Sequence, residues 1–148
     1  MIGVMIVTHG KLAEGFKDAL SVIVGDTADI KTLGLFPGDS VEEFGNKIHD
    51  ELVKCESLDG VIIFADLVSA SPYNQSMIAI NKLPEEMRKK CYLIGGVNFP
   101  MIIETVNHQI LDSEIEVAVQ SICEQGSMET VAWTYSENTN SDNESDDF

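Results

Sequence analysis

Basic residues and cysteines are scarce in this sequence. Nine lysines and arginines stand against 25 aspartates and glutamates among 148 residues, so the formal net charge is −16. Because binding to a phosphate backbone requires clustered lysine and arginine, this balance argues against a nucleic-acid partner. The three cysteines, Cys55, Cys91 and Cys123, are widely spaced and form no C-x-x-C pair. We therefore expect reduced cysteines, no metal site and no cofactor.

Long apolar runs are also missing. No stretch reaches the length needed to cross a bilayer, and the apolar amino terminus has neither a basic leader nor a small-residue cleavage site. Hydrophobic residues make up 44% of the chain, which is enough for one folded domain of this length. We therefore expect a cytoplasmic protein that does not insert into a membrane directly.

Short apolar segments alternate with segments of helical periodicity from residue 1 to about residue 96. This order is typical of β-α-β units. We predict an α/β fold with a doubly wound, mainly parallel sheet in the flavodoxin-like strand order 2-1-3-4, flanked by helices. The predicted strands are residues 3–7, 30–35, 60–65 and 91–95, and the predicted helices are about 12–24, 40–52, 72–82, 98–107 and 113–125.

Local signals predict where several helices begin and end. Ser40 and Glu43 have the spacing of a capping box at the second helix. Ser71 is predicted as the N-cap of the third helix, since Pro72 suits the first helical position. Gly126 is predicted to stand just behind the last helix.

The carboxyl-terminal part of the chain changes character twice. Residues 127–135 have the composition of a strand. Residues 136–148 hold five acidic side chains and no basic one, so they cannot bury enough surface to become ordered. We predict a domain over residues 1–135 and a disordered acidic tail over residues 136–148.

A histidine and an aspartate stand where two neighbouring strands of the predicted sheet end. His9 closes the first strand and Asp66 follows the third, and ligands of doubly wound sheets bind at this switch point. Ser69, Ser71 and the start of the third helix add hydrogen-bond donors that suit a phosphoryl group. If Asp66 accepts a hydrogen bond from the Nδ1–H group of His9, the Nε2 lone pair is free to attack phosphorus. The pattern therefore predicts a nucleophilic histidine oriented by a carboxylate.

Four short motifs lie in order along residues 1 to about 135: Val7-Thr8-His9-Gly10, Phe36-Pro37-Gly38, Asp66 followed by Ser71-Pro72-Tyr73-Asn74, and Gly96-Val97-Asn98-Phe99-Pro100-Met101. Together they resemble the IIA component of the mannose-type sugar phosphotransferase system. The resemblance implies that His9 is phosphorylated by the phosphocarrier HPr and passes the group to a histidine of the IIB component. It also implies that Asp66 orients His9 and that Ser71 contacts the phosphoryl group.

The resemblance implies further features of the assembly. It implies a homodimer in which a carboxyl-terminal strand, here 127–135, crosses to the sheet of the partner, and it implies indirect cooperation with the membrane components IIC and IID. The loop before Ser71 often holds two glycines in the family, whereas here it reads Val68-Ser69-Ala70. The residues expected to rim the site and exclude water from the phosphohistidine are Thr8, Gly10, Phe36, Pro37, Asn98 and Phe99.

Other functions compete with a sugar phosphoryl carrier. A histidine phosphatase also has a nucleophilic histidine after its first strand, but it needs several arginines there, and the single arginine is Arg88. The phosphotransfer subunit of a dihydroxyacetone kinase shares the fold and the histidine. A non-catalytic module that binds a small ligand or senses a partner at the same crevice is the third alternative, and the missing glycines before Ser71 are its best support.

Overall fold

The computed structural model describes residues 1–27 and 29–136. The strands in these residues are β1 (Ile2–His9), β2 (Ile30–Leu35), β3 (Gly60–Ala65) and β4 (Cys91–Ile94), and they form one parallel sheet in the order β2-β1-β3-β4. This order confirms the predicted fold class. The helices are α1 (Leu12–Val24), α2 (Val41–Val53), α3 (Ser71–Asn81), α4 (Glu85–Arg88), α5 (Phe99–Ile110) and α6 (Ile115–Met128), of which only α4 was not predicted.

Helices cover both faces of the sheet. Successive side chains of a strand point to opposite faces. Ile6 and Phe64 therefore pack in the core that contains side chains of α1, α5 and α6, whereas Val7 and Ile63 pack in the core formed with α2 and α3. All four side chains are fully buried. Burial on two sides explains why β3 and the part of β1 before Thr8 are apolar.

The two predicted N-caps have different outcomes. The Ser40 hydroxyl accepts the Glu43 N–H at 3.2 Å, which confirms Ser40 as the cap of α2. The prediction for Ser71 is wrong, because α3 already begins at Ser71 and Pro72 is its second residue. Ala70 occupies the cap position in an extended conformation and provides no side-chain hydrogen bond. Proline is accepted one residue later than predicted, since the N–H groups of the first helical turn have no intrahelical partner.

The predicted helix end at Gly126 is wrong, because α6 continues through this residue to Met128. A Cβ atom at position 126 would lie only 2.4 Å from Cε of Met101 on α5. The Gly126 carbonyl accepts a hydrogen bond of 2.9 Å from Nδ2 of Asn98. The missing side chain therefore permits close packing of α6 on α5 rather than ending the helix.

The carboxyl-terminal segment differs from its prediction. Ser127 and Met128 belong to α6, and residues 130–136 form no strand within this single chain. Val131, Trp133 and Tyr135 are exposed, Trp133 at 85%. Exchange of this segment between two chains stays a prediction, as does the domain limit at 135. The predicted acidic tail lies outside the described residues from 137 onward.

Candidate active site

The topology brings His9 and Asp66 to the same edge of the sheet. β1 and β3 are neighbouring parallel strands, with Val7 opposite Ala65, so the next residues of both strands emerge side by side. Nδ1 of His9 lies 2.8 Å from Oδ2 of Asp66. The backbone N–H of His9 donates to the same carboxylate oxygen at 2.9 Å. Two hydrogen bonds to one oxygen therefore fix both the strand end and the imidazole ring.

The Asp66 carboxylate is held in its charged form. Its side chain is only 10% exposed, and its second oxygen accepts the Leu67 N–H at 2.9 Å. Burial by itself raises the pKa of Asp66, but the hydrogen bonds from the His9 backbone and ring, the charge on His9 and the Leu67 N–H outweigh this effect. The net result is a lowered pKa for Asp66, so it acts as an acceptor at neutral pH.

The imidazole of His9 remains accessible on its other side. Its side chain is 47% exposed. Nδ1 of His9 bonds to Asp66, whereas Nε2 of His9 has no hydrogen-bond partner among the described residues. Donation from Nδ1 to Asp66 selects the tautomer in which Nε2 carries the lone pair. His9 therefore presents an oriented nucleophilic nitrogen to a ligand at the sheet edge.

Ser69 and Ser71 lie at the same edge, because the loop that contains Ser69 leads directly from β3 into α3. Ser69 is exposed and Ser71 is half-buried. Within the described part of the chain neither hydroxyl has a hydrogen-bond partner. The two hydroxyls and the amino-terminal end of α3 are therefore available to an anionic ligand near His9.

Three of the predicted rim residues also lie at this edge. His9 pairs with Leu35 in the sheet, and Phe36 and Pro37 follow directly in an exposed turn. Gly10 turns the chain from β1 toward α1 with a φ of +53°, and its N–H donates to the Leu35 carbonyl at 2.8 Å. The β1 and β2 ends thus form one wall beside the imidazole.

Thr8 is not a rim residue. Its side chain is fully buried, and its Oγ1 accepts the Ala13 N–H at 2.8 Å at the start of α1. Lys11, which occupies the N-cap position of α1, provides no side-chain hydrogen bond. Thr8 therefore caps α1 from the preceding strand, because alternation along β1 turns its side chain away from the direction of His9.

Asn98 and Phe99 are used mainly for packing. Oδ1 of Asn98 accepts the Met101 N–H at 3.1 Å and caps α5, while its Nδ2 bonds to α6 at Gly126. Both ends of the amide are thus occupied by the helices behind the site. Phe99 is half-buried and packs against the core shared by α1, α5 and α6.

Asn74 is a site-neighbouring residue that the sequence did not assign. Its Nδ2 donates to the carbonyl of Ser69 at 3.0 Å from the first turn of α3. The available signal was its amide side chain, five residues after Ser69 and close to a helix start, where such side chains often bond to nearby backbone.

Over ranges 1–27 and 29–136, no helix is long and apolar enough to cross a membrane. In the same ranges no three His, Cys, Asp or Glu side chains form a group that could hold a metal ion. Cys55 and Cys91 pack in the α2–α3 core, and burial raises the pKa of the Cys91 thiol to about 11. Cys91 is therefore a packing residue rather than a nucleophile at neutral pH.

Replacing Thr8 with valine is expected to destabilise the fold without removing the histidine chemistry. Thr8→Val keeps the shape but leaves the Ala13 N–H without its acceptor, which costs about 1–2 kcal/mol in the free energy of unfolding. Urea denaturation measures the change, with Thr8→Ser as the matched control that retains the hydroxyl. A Thr8→Val protein as stable as the wild type would contradict the capping role.

Known proteins are similar to this chain over most of its length. The family model described as PTS system fructose IIA component matches residues 3–123. The chain is 29% identical over 126 residues to the mannose-specific EIIAB component of Escherichia coli strain K12, covering 84% of this chain and 37% of that protein. It is 25% identical over 107 residues to the fructose-specific EIIA component of Bacillus subtilis strain 168, covering 72% of this chain and 70% of that protein.

Two solved structures with the same fold are described as IIA or EIIA proteins of phosphotransferase systems. The mannose/sorbose specific IIA subunit from Enterococcus faecalis superposes with a TM-score of 0.78 at 20% identity, covering 93% of this chain and 98% of that chain. The EIIA component from Streptococcus agalactiae gives a TM-score of 0.76, also at 20% identity, with coverage of 89% and 97%. With the family model matched over residues 3–123, the chain belongs to the EIIA family of the sugar phosphotransferase system (PTS).

Proposed function

We propose that the protein is a cytoplasmic phosphoryl carrier that accepts a phosphoryl group from HPr on His9 and passes it to a IIB component. The IIB component would in turn serve the membrane components IIC and IID during sugar uptake. The observation that supports this most directly is the 2.8 Å contact between Nδ1 of His9 and the carboxylate of Asp66. It prepares the opposite ring nitrogen for attack at an exposed edge.

The proposed transfer needs only the groups at this edge. Nε2 of neutral His9 attacks the phosphorus of phosphorylated HPr, an Nε2–P bond forms, and the bond from phosphorus to the HPr histidine breaks. His9 keeps its Nδ1 proton, and the charge on Asp66 stabilises the positive charge that develops on the ring. Transfer to IIB repeats the same displacement with Nε2 of His9 as the leaving group.

The phosphoryl oxygens would be held by Ser71 and Ser69 together with the first turn of α3. The hydroxyls have no partner within the described residues, and free N–H groups at a helix start attract anions. Such donors stabilise charge on the transferring group without reorganising during the reaction.

Partner docking would use charge and apolar contact together. The net charge of −16 favours a basic partner surface and raises the rate of encounter. Phe36, Leu67 and Val68 expose apolar side chains on turns that follow β2 and β3 at the His9 edge. These side chains would exclude water when a partner covers the histidine.

The test is phosphorylation in a reconstituted system. The protein is incubated with enzyme I, HPr and labelled phosphoenolpyruvate, and acid-labile label is located by peptide mapping. We expect label on the His9 peptide that a IIB protein can discharge. Absence of label while HPr is fully phosphorylated would overturn the proposal and favour a binding module.

The rival reactions have less support. Arg88 lies on α4, directly before β4, and therefore at the opposite edge of the parallel sheet from His9, where its guanidinium donates to the Asn81 carbonyl. A phosphatase would need arginine beside the histidine. The family match names a sugar system, which favours it over a dihydroxyacetone kinase subunit.

We also propose a homodimer that exchanges the segment 130–135. β2 and β4 are the outer strands of the sheet, and outer strands have unpaired backbone groups. Val131, Trp133 and Tyr135 alternate with smaller side chains at the period of a strand and are exposed in the single chain. Pairing of this segment with the sheet of a second copy would bury these side chains.

Deletion of residues 130–148 is expected to convert the dimer to a monomer, because the segment supplies the exchanged strand. Analytical ultracentrifugation of the deletion protein and the full chain measures this directly. Trp133, the only tryptophan, provides a second measurement, since its emission should be blue-shifted in the dimer and should shift to the red on dilution. A monomeric full chain with solvent-exposed Trp133 emission would contradict the exchange.

A further inference from the structure

We propose that Asn74 is a positioning residue that holds the loop 67–70 in the conformation needed for phosphoryl transfer at His9. The inference rests on the proposed function, and it concerns a side chain that contacts the loop rather than the reacting atoms. Its basis is the side-chain amide of Asn74 on α3, which donates to the carbonyl of the loop residue Ser69.

Ser69 adopts a backbone conformation that it would not favour by itself. Its φ is +65°, and a side chain with a Cβ atom is disfavoured in this left-handed region. Such a conformation persists only when surrounding contacts determine it. The loop therefore needs an external constraint.

Asn74 supplies the constraint from the helix. Its Nδ2 donates to the Ser69 carbonyl at 3.0 Å, and its backbone N–H donates to the Ala70 carbonyl at 2.9 Å. The backbone bond is the first i→i−4 bond of α3, which any residue except proline would make at position 74, whereas the side-chain bond requires the amide. The side-chain bond is the one that specifies the carbonyl of the strained residue.

The opposite side of the loop is packed against the end of β4. A Cβ atom at Gly95 would lie 2.5 Å from Cγ2 of Val68 and 3.1 Å from the ring of Tyr73. The loop thus fits closely between Gly95 and α3. A loop released from Asn74 would have to move outward, away from Gly95.

Movement of the loop would reach His9 through Asp66. The Leu67 N–H donates to Oδ1 of Asp66, and Oδ2 of the same carboxylate receives both bonds from His9. The loop that carries the Ser69 hydroxyl is therefore joined to the carboxylate that orients the nucleophile. By this path Asn74 sets the position of the phosphoryl-binding groups relative to Nε2.

The first test compares Asn74→Ala and the nearly isosteric Asn74→Asp, neither of which can donate to the Ser69 carbonyl. In rapid-quench measurements with phosphorylated HPr, we expect both to lower the maximal rate of acceptance by about 10- to 100-fold with little change in the HPr concentration at half-maximal rate. Asn74→Asp with the wild-type rate would overturn the proposal, since it keeps the size but not the donor.

The second test uses a double-mutant cycle with Ser69→Gly. Glycine adopts a φ of +65° without strain. Removal of the Asn74 side chain should therefore matter less when the Ser69→Gly change is present than when Ser69 is retained, whatever Ser69→Gly does alone. Equal losses in both backgrounds would show that Asn74 acts independently of Ser69 and would overturn the proposal.

The third test does not depend on phosphoryl transfer. Amide hydrogen exchange at Leu67, whose N–H donates to Asp66, should accelerate in Asn74→Ala, whereas β1 and β3 should keep their protection. If the wild type accepted no phosphoryl group from HPr, the proposed function would fail, but exchange would still decide whether Asn74 holds the loop. Unchanged exchange at Leu67 would overturn the positioning role.

Discussion

His9→Ala is expected to abolish phosphoryl acceptance while leaving the fold intact. The side chain is 47% exposed, and its backbone N–H would still donate to Asp66, so β1 keeps its end. Without the imidazole, position 9 has no nitrogen on which a phosphohistidine could form. We expect the rate of labelling by HPr to fall by about 10⁴-fold or more, as when a nucleophile is removed. Labelled phosphoenolpyruvate with enzyme I and HPr measures this rate.

His49→Ala is the matched control for the loss of a histidine. His49 lies on α2, half-buried, with Nδ1 3.9 Å from a carboxylate oxygen of Asp50. The His49→Ala protein should be labelled at the wild-type rate, because His49 lies on α2 and not at the sheet edge that contains His9. Persistent acid-labile label on a histidine of the His9→Ala protein would show that the nucleophile has been wrongly assigned.

Asp66→Asn has the second largest expected effect, because it keeps the size of the side chain but changes its charge. An amide can no longer supply negative charge to the ring, and its NH₂ group can donate to Nδ1, which would favour the unreactive tautomer. We expect the rate of phosphoryl acceptance to fall by about 10²- to 10⁴-fold, as when the orienting aspartate of a Ser-His-Asp triad is replaced by asparagine. Rapid-quench kinetics with phosphorylated HPr measures it, with circular dichroism to verify the fold. A rate within a factor of two of the wild type would contradict the orienting role.

The same substitution should change how stability depends on pH. Because the pKa of Asp66 is lowered in the folded protein, its carboxylate stabilises the fold fully above the unfolded pKa of about 3.9, and this contribution is lost as pH falls through the folded pKa. The difference in unfolding free energy between wild type and Asp66→Asn should therefore shrink as the solution is acidified below about pH 4. Asp18→Asn, on α1 and away from the His9 edge, is the control. A difference that grows on acidification would contradict the lowered pKa.

The strands and the position of His9 follow from short-range patterns. The third predicted strand, 60–65, coincides with β3, because a strand buried on both faces must be apolar at every position. Ser40 caps α2 as predicted, because the cap depends only on residues three positions apart. The proximity of His9 and Asp66 could be predicted, since the strand order 2-1-3-4 by itself brings the ends of the first and third strands together.

The side chains around His9 could not be assigned in the same way. Thr8 and Asn98 stand beside the predicted site in sequence, yet their polar atoms cap α1 and α5. Gly126 has the residue type of a helix end, yet it lies within α6 because Met101 packs against it. Thr8 and Asn98 accept hydrogen bonds from the helices that follow them, and Gly126 leaves space for Met101 of another helix.

The sequence by itself thus determined the sheet, its strand order and the pairing of His9 with Asp66, because apolar patterning and parallel topology are properties of successive segments. Only the tertiary structure decided that Ser69 takes a φ of +65° and that Asn74 bonds to its carbonyl. That conformation depends on α3 on one side and on the close fit of Val68 over Gly95 on the other. Backbone strain is stable only where packing determines it, and packing joins residues that are distant along the chain.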